Sequence, residues 1–125
     1  METILVIDDD SLILDVVREI LELDNYAVET ALSGAEGIEK HRKSPADLVI
    51  TDLIMPHKDG ISVISDLKKE FPGIRIIAMT GTPKLEKIAE AVQADVNRVI
   101  AKPFDQEELL EAVAQLIDSE ASSPS

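Results

Sequence analysis

The sequence contains no cysteine or tryptophan, and Tyr26, Phe71 and Phe104 are its only Tyr or Phe residues. The lack of cysteine excludes disulfides, thiolate metal sites and cysteine nucleophiles. Hydrophobic residues nevertheless make up 45% of the 125 positions, which separates the chain from disordered acidic segments. The core must therefore be aliphatic, and the length suits one domain.

Positive charge is also scarce, with 12 Lys and Arg against 25 Asp and Glu and a formal net charge of −13. Surfaces that bind nucleic acids or anionic membranes need clustered Lys and Arg. We therefore expect no direct contact with nucleic acid or membrane. The excess of acids fits a protein that binds a cation or a basic partner.

Long hydrophobic runs are missing as well. No stretch approaches the roughly 18 apolar residues of a membrane-spanning helix. The start, Met1-Glu2-Thr3, lacks the basic and apolar regions of a signal peptide. These features predict a cytoplasmic protein.

Short apolar runs alternate with longer amphipathic segments. The runs are typical of buried parallel strands and cover residues 4–7, 48–50, 74–79 and 99–101, while residues 26–30 alternate like a strand nearer an edge. Helices are predicted over 12–23 with Ser11 as cap, from a capping box at Ser33 and Glu36, over 61–70, from Pro83, and after Phe104. Five strands alternating with five helices predict a parallel sheet with helices on both faces.

The domain is predicted to cover residues 1–118. Residues 119–125 are mostly small and polar, and we expect them to form a disordered tail or the start of a linker.

Polar residues follow the strands at the point where each apolar run ends. Ligands of open parallel sheets bind beyond these carboxyl ends. With a strand order of 2-1-3-4-5, one crevice would collect the residues that follow strands one, three, four and five: Asp8, Asp9, Asp10, Asp52, Thr80, Gly81 and Lys102.

These residue types point to phosphoryl transfer. Clustered carboxylates repel one another unless a cation offsets their charge, and an oxygen-only ligand set favours Mg²⁺. Lys102 offers a point charge for a phosphoryl oxygen. A carboxylate beside both cations can attack phosphorus and form an aspartyl-phosphate.

Other polar residues have simpler interpretations. Asp10 and Asp47 are interpreted as helix-cap or turn residues. His41 is expected on an exposed helix face and His57 in a loop, both in contact with solvent.

Four motifs carry a family resemblance, namely Leu5-Val6-Ile7-Asp8-Asp9-Asp10, the segment from Asp52 to Gly60 with its Met-Pro and Asp-Gly pairs, Met79-Thr80-Gly81, and Lys102-Pro103-Phe104. Over residues 3–118 the sequence resembles the receiver domain of two-component response regulators. The resemblance implies a flavodoxin-like, doubly wound α/β fold, with a parallel sheet of order 2-1-3-4-5 flanked by five helices.

The resemblance also implies roles for individual residues. Asp52 would be the phosphoacceptor, taking its phosphoryl group from a phosphohistidine of a sensor histidine kinase or a histidine phosphotransfer protein. Mg²⁺ would be held by Asp9 directly, by Asp8 mainly through water, by Asp52, and by the backbone carbonyl of Ile54. Lys102 would pair with a phosphoryl oxygen.

Further implications concern switching. The Thr80 hydroxyl would move towards the phosphoryl group, with the Gly81 amide close by, and Gly60 would supply a permissive backbone in its loop. A protein of this kind is a signalling switch that catalyses its own phosphorylation and dephosphorylation rather than an enzyme. A downstream protein target would dock on the fourth helix, fifth strand and acidic fifth helix.

The sequence departs from the family pattern at Val99, Asp95, Ile54 and Thr82, and two of these positions bear on switching and hydrolysis. Val99 stands where relatives carry an aromatic switch residue, and Ile54 offers no polar side chain to guide a hydrolytic water. The aromatic switch is therefore expected to be absent or rerouted, and the lack of a polar side chain at Ile54 predicts a comparatively long-lived aspartyl-phosphate.

Two other functions remain open from the residues. The chain could be a receiver-like module that binds proteins without being phosphorylated. It could also be a haloacid-dehalogenase-type phosphatase in which Asp8 is the nucleophile of an Asp-x-Asp motif.

Overall fold

A computed structural model of the chain describes residues 1–53, 60–81 and 96–121, with side chains described as far as residue 117. Its elements, in chain order, are β1 (Thr3–Ile7), α1 (Ser11–Leu23), β2 (Ala27–Ala31), α2 (Gly34–Lys43), β3 (Leu48–Asp52), α3 (Gly60–Glu70), β4 (Ile76–Thr80), β5 (Arg98–Ala101) and α4 (Gln106–Ala121).

The five strands form one parallel sheet of order β2-β1-β3-β4-β5, which confirms the predicted order. The register pairs Ile7 with Thr51, Asp52 with Met79, and Thr80 with Ala101. The carboxyl ends of the four strands β1, β3, β4 and β5 therefore lie level along one edge. This edge carries the residues that the sequence singles out.

Helices cover both faces of the sheet, as a doubly wound fold requires. Alternate residues of each central strand point to opposite faces. In β1, Ile4 and Val6 pack with the buried residues of α1 and α4, while Leu5 and Ile7 pack with those of α2 and α3. The two aliphatic clusters account for the near-continuous hydrophobic runs in the sequence.

The described residues contain four helices rather than the predicted five. The predicted helix that begins at Pro83 falls within residues 82–95, which lie outside the described residues. Helix α4 corresponds to the fifth predicted helix, and it runs to Ala121, so the predicted domain boundary at residue 118 falls inside it. Residues 122–125 lie outside the description.

The caps of the first two helices test the capping predictions. In α2, the Ser33 hydroxyl accepts a hydrogen bond from the Glu36 N–H at 3.2 Å, as predicted. In α1, the prediction of Ser11 as cap is wrong, because Asp10 caps the helix by accepting from the Leu12 N–H at 2.9 Å. The interpretation of Asp10 as a cap residue is confirmed.

The prediction of an exposed, solvated His41 is also wrong. Its side chain lies on the inner face of α2, three residues after the buried Ile38, and only 2% of the residue is exposed. Its Nδ1 accepts a hydrogen bond from the Ala46 N–H at 3.0 Å. The ring meets Phe71 edge to face, with centroids 4.5 Å apart. His57 lies outside the described residues.

Candidate functional site

Three carboxylates converge at the carboxyl edge of the sheet. Asp8 follows β1 directly, Asp9 comes next, and Asp52 is the last residue of β3. One carboxylate oxygen from each lies within 4.8 Å of the other two. Asp8 is fully buried, the Asp52 side chain is 10% exposed, and Asp9 is exposed. The cluster therefore spans from the protein interior to the surface.

Lys102, which follows β5, brings a positive charge into this cluster. Its Nζ lies 2.7 Å from Oδ2 of Asp8 and 3.2 Å from Oδ2 of Asp52. Burial by itself would lower the pKa of Lys102, but the hydrogen bond to Asp8 and the charge of Asp52 outweigh it and raise the pKa above its usual value. Lys102 is therefore a fixed ammonium between two carboxylates.

Asp8 is held on both sides. Its Oδ2 accepts from Lys102, and its Oδ1 accepts from the Asp10 N–H at 2.9 Å. The Asp8 N–H donates to the carbonyl of Ala31 at 3.1 Å. These bonds order the turn between β1 and α1 that presents the exposed Asp9.

Thr80 and Gly81 lie at the same edge. Thr80 ends β4 and is fully buried, and its carbonyl accepts from the Lys102 N–H at 2.7 Å. Gly81 is exposed, and a Cβ built on it would lie 3.9 Å from the Cβ and Cδ atoms of Lys102. The structure thus brings Thr80 and Gly81 next to Lys102.

Gly60 approaches the backbone of Asp52 closely. A Cβ on Gly60 would lie 2.1 Å from the Asp52 carbonyl oxygen and 2.5 Å from Cα of Leu53. The expectation of a permissive backbone at Gly60 is wrong, because no described glycine has a positive φ. The constraint is one of space, which a sequence pattern does not reveal.

Two other residues singled out from the sequence stand differently. Ile54, whose backbone carbonyl is a predicted metal ligand, lies outside the described residues. Val99 lies in β5, partly buried, and packs against the aliphatic cluster under α2 and α3. It therefore contributes to the core at the position of the family's aromatic residue.

The donor set fits a small, hard cation. Asp8, Asp9 and Asp52 supply carboxylate oxygens only, which Mg²⁺ prefers over nitrogen or sulfur ligands. Lys102 offsets part of the negative charge through its contacts with Asp8 and Asp52. Asp9 is exposed on the solvent side of the cluster. The arrangement can hold a divalent cation beside a carboxylate that faces the surface.

Within residues 1–53, 60–81 and 96–121, no helix is long and apolar enough to cross a bilayer.

Comparison with known proteins places these observations in a family. The profile of the response regulator receiver domain matches residues 4–114. The chain is 32% identical over 114 residues to the chemotaxis protein CheY of Halobacterium salinarum, covering 91% of this chain and 95% of that protein. It is also 32% identical over 118 residues to the transcriptional regulatory protein GlrR of Escherichia coli, covering 94% of this chain and 27% of that protein.

A solved structure agrees with the sequence comparison. The CheY-like receiver domain protein of Methanospirillum hungatei superposes with a TM-score of 0.93 at 31% identity, covering 97% of each chain. The same sheet order and the same carboxyl edge are therefore expected of the two proteins.

Proposed function

This chain belongs to the response regulator receiver domain family, and within that family we propose that Asp52 is the residue that accepts the phosphoryl group. Receiver domains are signalling switches of two-component systems rather than conventional enzymes. We propose further that this domain catalyses its own phosphorylation at Asp52, and its dephosphorylation, in a reaction that depends on Mg²⁺.

The observation that carries the proposal is the position of Lys102 between Asp8 and Asp52. The Lys102 ammonium lies 3.2 Å from Oδ2 of Asp52, so it is placed to pair with an oxygen of a phosphoryl group on that carboxylate. Positioning and charge neutralisation supply most of the catalysis in phosphoryl transfer. Lys102 can provide both without moving far.

Burial distinguishes the two candidate acceptors. Asp8 is fully buried, and both of its oxygens accept hydrogen bonds, from Lys102 and from the Asp10 N–H. The Asp52 side chain retains 10% exposure at the surface of the crevice. A phosphohistidine side chain can therefore reach Asp52 more readily than Asp8, and the dehalogenase-type phosphatase is not supported.

The proposed step is a displacement at phosphorus. A carboxylate oxygen of Asp52 forms a bond to phosphorus as the bond to the donor's imidazole nitrogen breaks, and that nitrogen takes up a proton. Asp9, Asp52 and Asp8 would hold Mg²⁺, with the Ile54 carbonyl as a further ligand; the ion would neutralise phosphoryl oxygens. Thr80 and Gly81 would supply a hydroxyl and an N–H to the product.

The proposed output is a change of docking surface. A phosphoryl group adds up to about two negative charges at the crevice, and Thr80 links that crevice to β5 through the Lys102 N–H. The exposed face of α4 carries Glu107, Glu108 and Glu111. We propose that a downstream protein with basic side chains docks there, that the donor is a sensor histidine kinase or a histidine phosphotransfer protein, and that this domain works in the cytoplasm.

Intact mass spectrometry after incubation with Mg²⁺ and acetyl phosphate tests the proposal. The wild-type chain should gain the mass of one phosphoryl group, and Asp52→Asn should gain none. The matched control, Asp47→Asn, changes an exposed acid at the opposite end of β3 and should behave like the wild type. No gain in the wild type would favour a module that binds proteins without phosphorylation, and label retained by Asp52→Asn would point to Asp8.

A further inference from the structure

The peptide unit between Asp52 and Leu53 is contacted from several directions. The Thr51 hydroxyl donates to the Asp52 carbonyl at 3.2 Å. The Leu53 N–H donates to the carbonyl of Met79 at 2.9 Å. In the next peptide unit, the Leu53 carbonyl accepts from the Gly60 N–H at 3.0 Å. The Asp52–Leu53 peptide follows the last residue of β3, beyond the ladder with β1, which ends at the pair Ile7 and Thr51.

Gly60, the first residue of α3, packs against the main chain of Asp52 and Leu53. A Cβ at Gly60 would lie 2.1 Å from the Asp52 carbonyl oxygen and within 3 Å of the Leu53 Cα and carbonyl carbon. These are backbone atoms, so a side chain at position 60 could be accommodated only by moving the main chain of Asp52 and Leu53 or the start of α3. The absence of a side chain lets the first residue of α3 seat directly on this peptide.

Gly37 shows a different kind of constraint. A Cβ there would meet Cδ1 and Cγ1 of the buried Ile7 at 2.4 and 2.6 Å, which are side-chain atoms and not main-chain atoms. Gly37→Ala would therefore disturb packing beside β1 without pressing on the main chain of Asp52. It is the matched control for Gly60.

Thr51 contributes a side-chain hydrogen bond to the Asp52 carbonyl. The residue is fully buried, and its side chain lies on the same face of β3 as Val49, towards α2 and α3. Valine would fill this space equally well, and a buried hydroxyl is costly unless it is hydrogen-bonded. Its bond to the Asp52 carbonyl is what the hydroxyl adds.

We infer that Thr51 and Gly60 are positioning residues that set the place of the Asp52 carboxylate relative to Lys102 and Asp8; this rests on the proposed phosphoacceptor function of Asp52. Thr51 donates a hydrogen bond to the carbonyl oxygen of Asp52, Gly60 donates one to the next carbonyl, that of Leu53, and the backbone of Gly60 packs too closely against Asp52 to admit a Cβ. The Asp52 side chain leaves from the Cα that adjoins this carbonyl. A shift of that peptide changes the 3.2 Å separation between Asp52 Oδ2 and Lys102 Nζ. Both carboxylate oxygens of Asp52, the one that reacts and the one that binds the metal, then move relative to Asp8 and Lys102.

Four variants test the inference: Gly60→Ala, Gly37→Ala, Thr51→Val and Thr51→Ser. For each, we would measure the free energy of unfolding in urea, the affinity for Mg²⁺ by titration calorimetry, and the rate of phosphoryl uptake from acetyl phosphate by intact mass. Gly60→Ala should slow uptake on the order of 10-fold or more relative to Gly37→Ala, because misplacement of reacting atoms by about 1 Å has large kinetic effects. Gly60→Ala should also bind Mg²⁺ more weakly than Gly37→Ala, even where the two variants have similar free energies of unfolding.

The threonine pair separates positioning from general stability. Thr51→Val should slow uptake and weaken Mg²⁺ binding, and Thr51→Ser should restore both because it keeps the hydroxyl. If Gly60→Ala does not fold, this pair decides the question alone. Equal uptake rates and Mg²⁺ affinities in Gly60→Ala and Gly37→Ala, or in Thr51→Val and Thr51→Ser, would overturn the inference.

The design also separates this inference from the proposed function. A wild-type chain that takes up no phosphoryl group would contradict the role of Asp52 as acceptor. The Mg²⁺ affinities would still decide whether Gly60 and Thr51 position the Asp52 carboxylate.

Discussion

The Nζ atom of Lys102 lies 2.7 Å from Oδ2 of Asp8, although the two residues are 94 positions apart in the sequence. Asp8 follows β1 and Lys102 follows β5, with β3 and β4 between them in the sheet. Asp8 is fully buried, so the ammonium of Lys102 is the counter-charge of an interior carboxylate. The ion pair between Lys102 and Asp8 therefore contributes both to the stability of the fold and to the charge of the proposed reaction site.

Replacing Lys102 should therefore affect both properties. Lys102→Met leaves Asp8 as a buried carboxylate without that partner, which should lower the free energy of unfolding by about 3 kcal/mol. Mg²⁺ should restore part of this loss, because a ligand of the folded state stabilises it. Phosphoryl uptake should fall about 100-fold, the typical effect of removing one charge-stabilising donor.

Urea unfolding with and without Mg²⁺, together with uptake from acetyl phosphate, checks this prediction. Lys69→Met is the control, because Lys69 is exposed on α3. A Lys102→Met protein as stable and as reactive as Lys69→Met would contradict the role assigned to the pair.

Asp9 allows metal binding to be tested without loss of stability. Its side chain is exposed, so Asp9→Asn should leave the free energy of unfolding within about 0.5 kcal/mol of the wild type. It should weaken Mg²⁺ binding by roughly 10-fold or more, because a charged oxygen ligand is lost. Titration calorimetry measures this affinity, with Glu39→Gln as a control at an exposed acid of α2. Equal affinities in the two variants would remove Asp9 from the ligand set.

The sheet order and the convergence of Asp8, Asp52 and Lys102 were predictable from the sequence. Buried parallel strands give near-continuous aliphatic runs, and polar residues placed directly after such runs meet at the carboxyl edge of the sheet. The run before Asp8 and the run before Asp52 are both of this type. The strand order is implied by the family resemblance that the sequence motifs carry, and not by the hydrophobic pattern.

The contacts of Gly60 and His41 were not predictable in the same way. The constraint at Gly60 comes from α3 approaching the main chain of Asp52, a distance that depends on tertiary packing. His41 lies on a helix that is mostly polar, and its burial depends on Phe71, thirty residues further along the chain. Only Ile38, three residues before His41, marks that face in the sequence. Neither contact is local.

The lifetime of the phosphoryl group provides a prediction from residue type. Ile54, two residues after the proposed acceptor, has an apolar side chain that cannot orient a hydrolytic water. Ile54→Gln should therefore shorten the half-life of the aspartyl-phosphate, measured by a radiolabel chase after removal of the donor. Ile54→Leu is the apolar control and should match the wild type. A half-life that is the same in all three proteins would show that this position does not limit hydrolysis.

His41 connects the end of α2 to the loop before β3, and its loss should destabilise the fold. The Ala46 N–H would lose its acceptor and the Phe71 ring would lose its edge-to-face partner. His41→Ala should lower the free energy of unfolding by roughly 2–4 kcal/mol, measured in urea at neutral pH. His41→Asn should lose less, because its amide oxygen can occupy the place of Nδ1 and accept from Ala46.

The same residue should make stability depend on pH. Burial lowers the pKa of His41 below its usual value, so the folded state disfavours the imidazolium. Between that lowered pKa and the unfolded value of about 6.5, the unfolded chain binds more protons, and the stabilisation is lost as the pH falls through this window. His41→Asn cannot titrate there, so the difference in unfolding free energy between wild type and His41→Asn should shrink as the pH falls from 7.5. The subtraction cancels carboxylates common to both proteins, including Glu70, whose pKa is lowered by its hydrogen bond to Arg42. A difference that stays constant with pH would show that the His41 imidazole titrates equally in the folded and unfolded states.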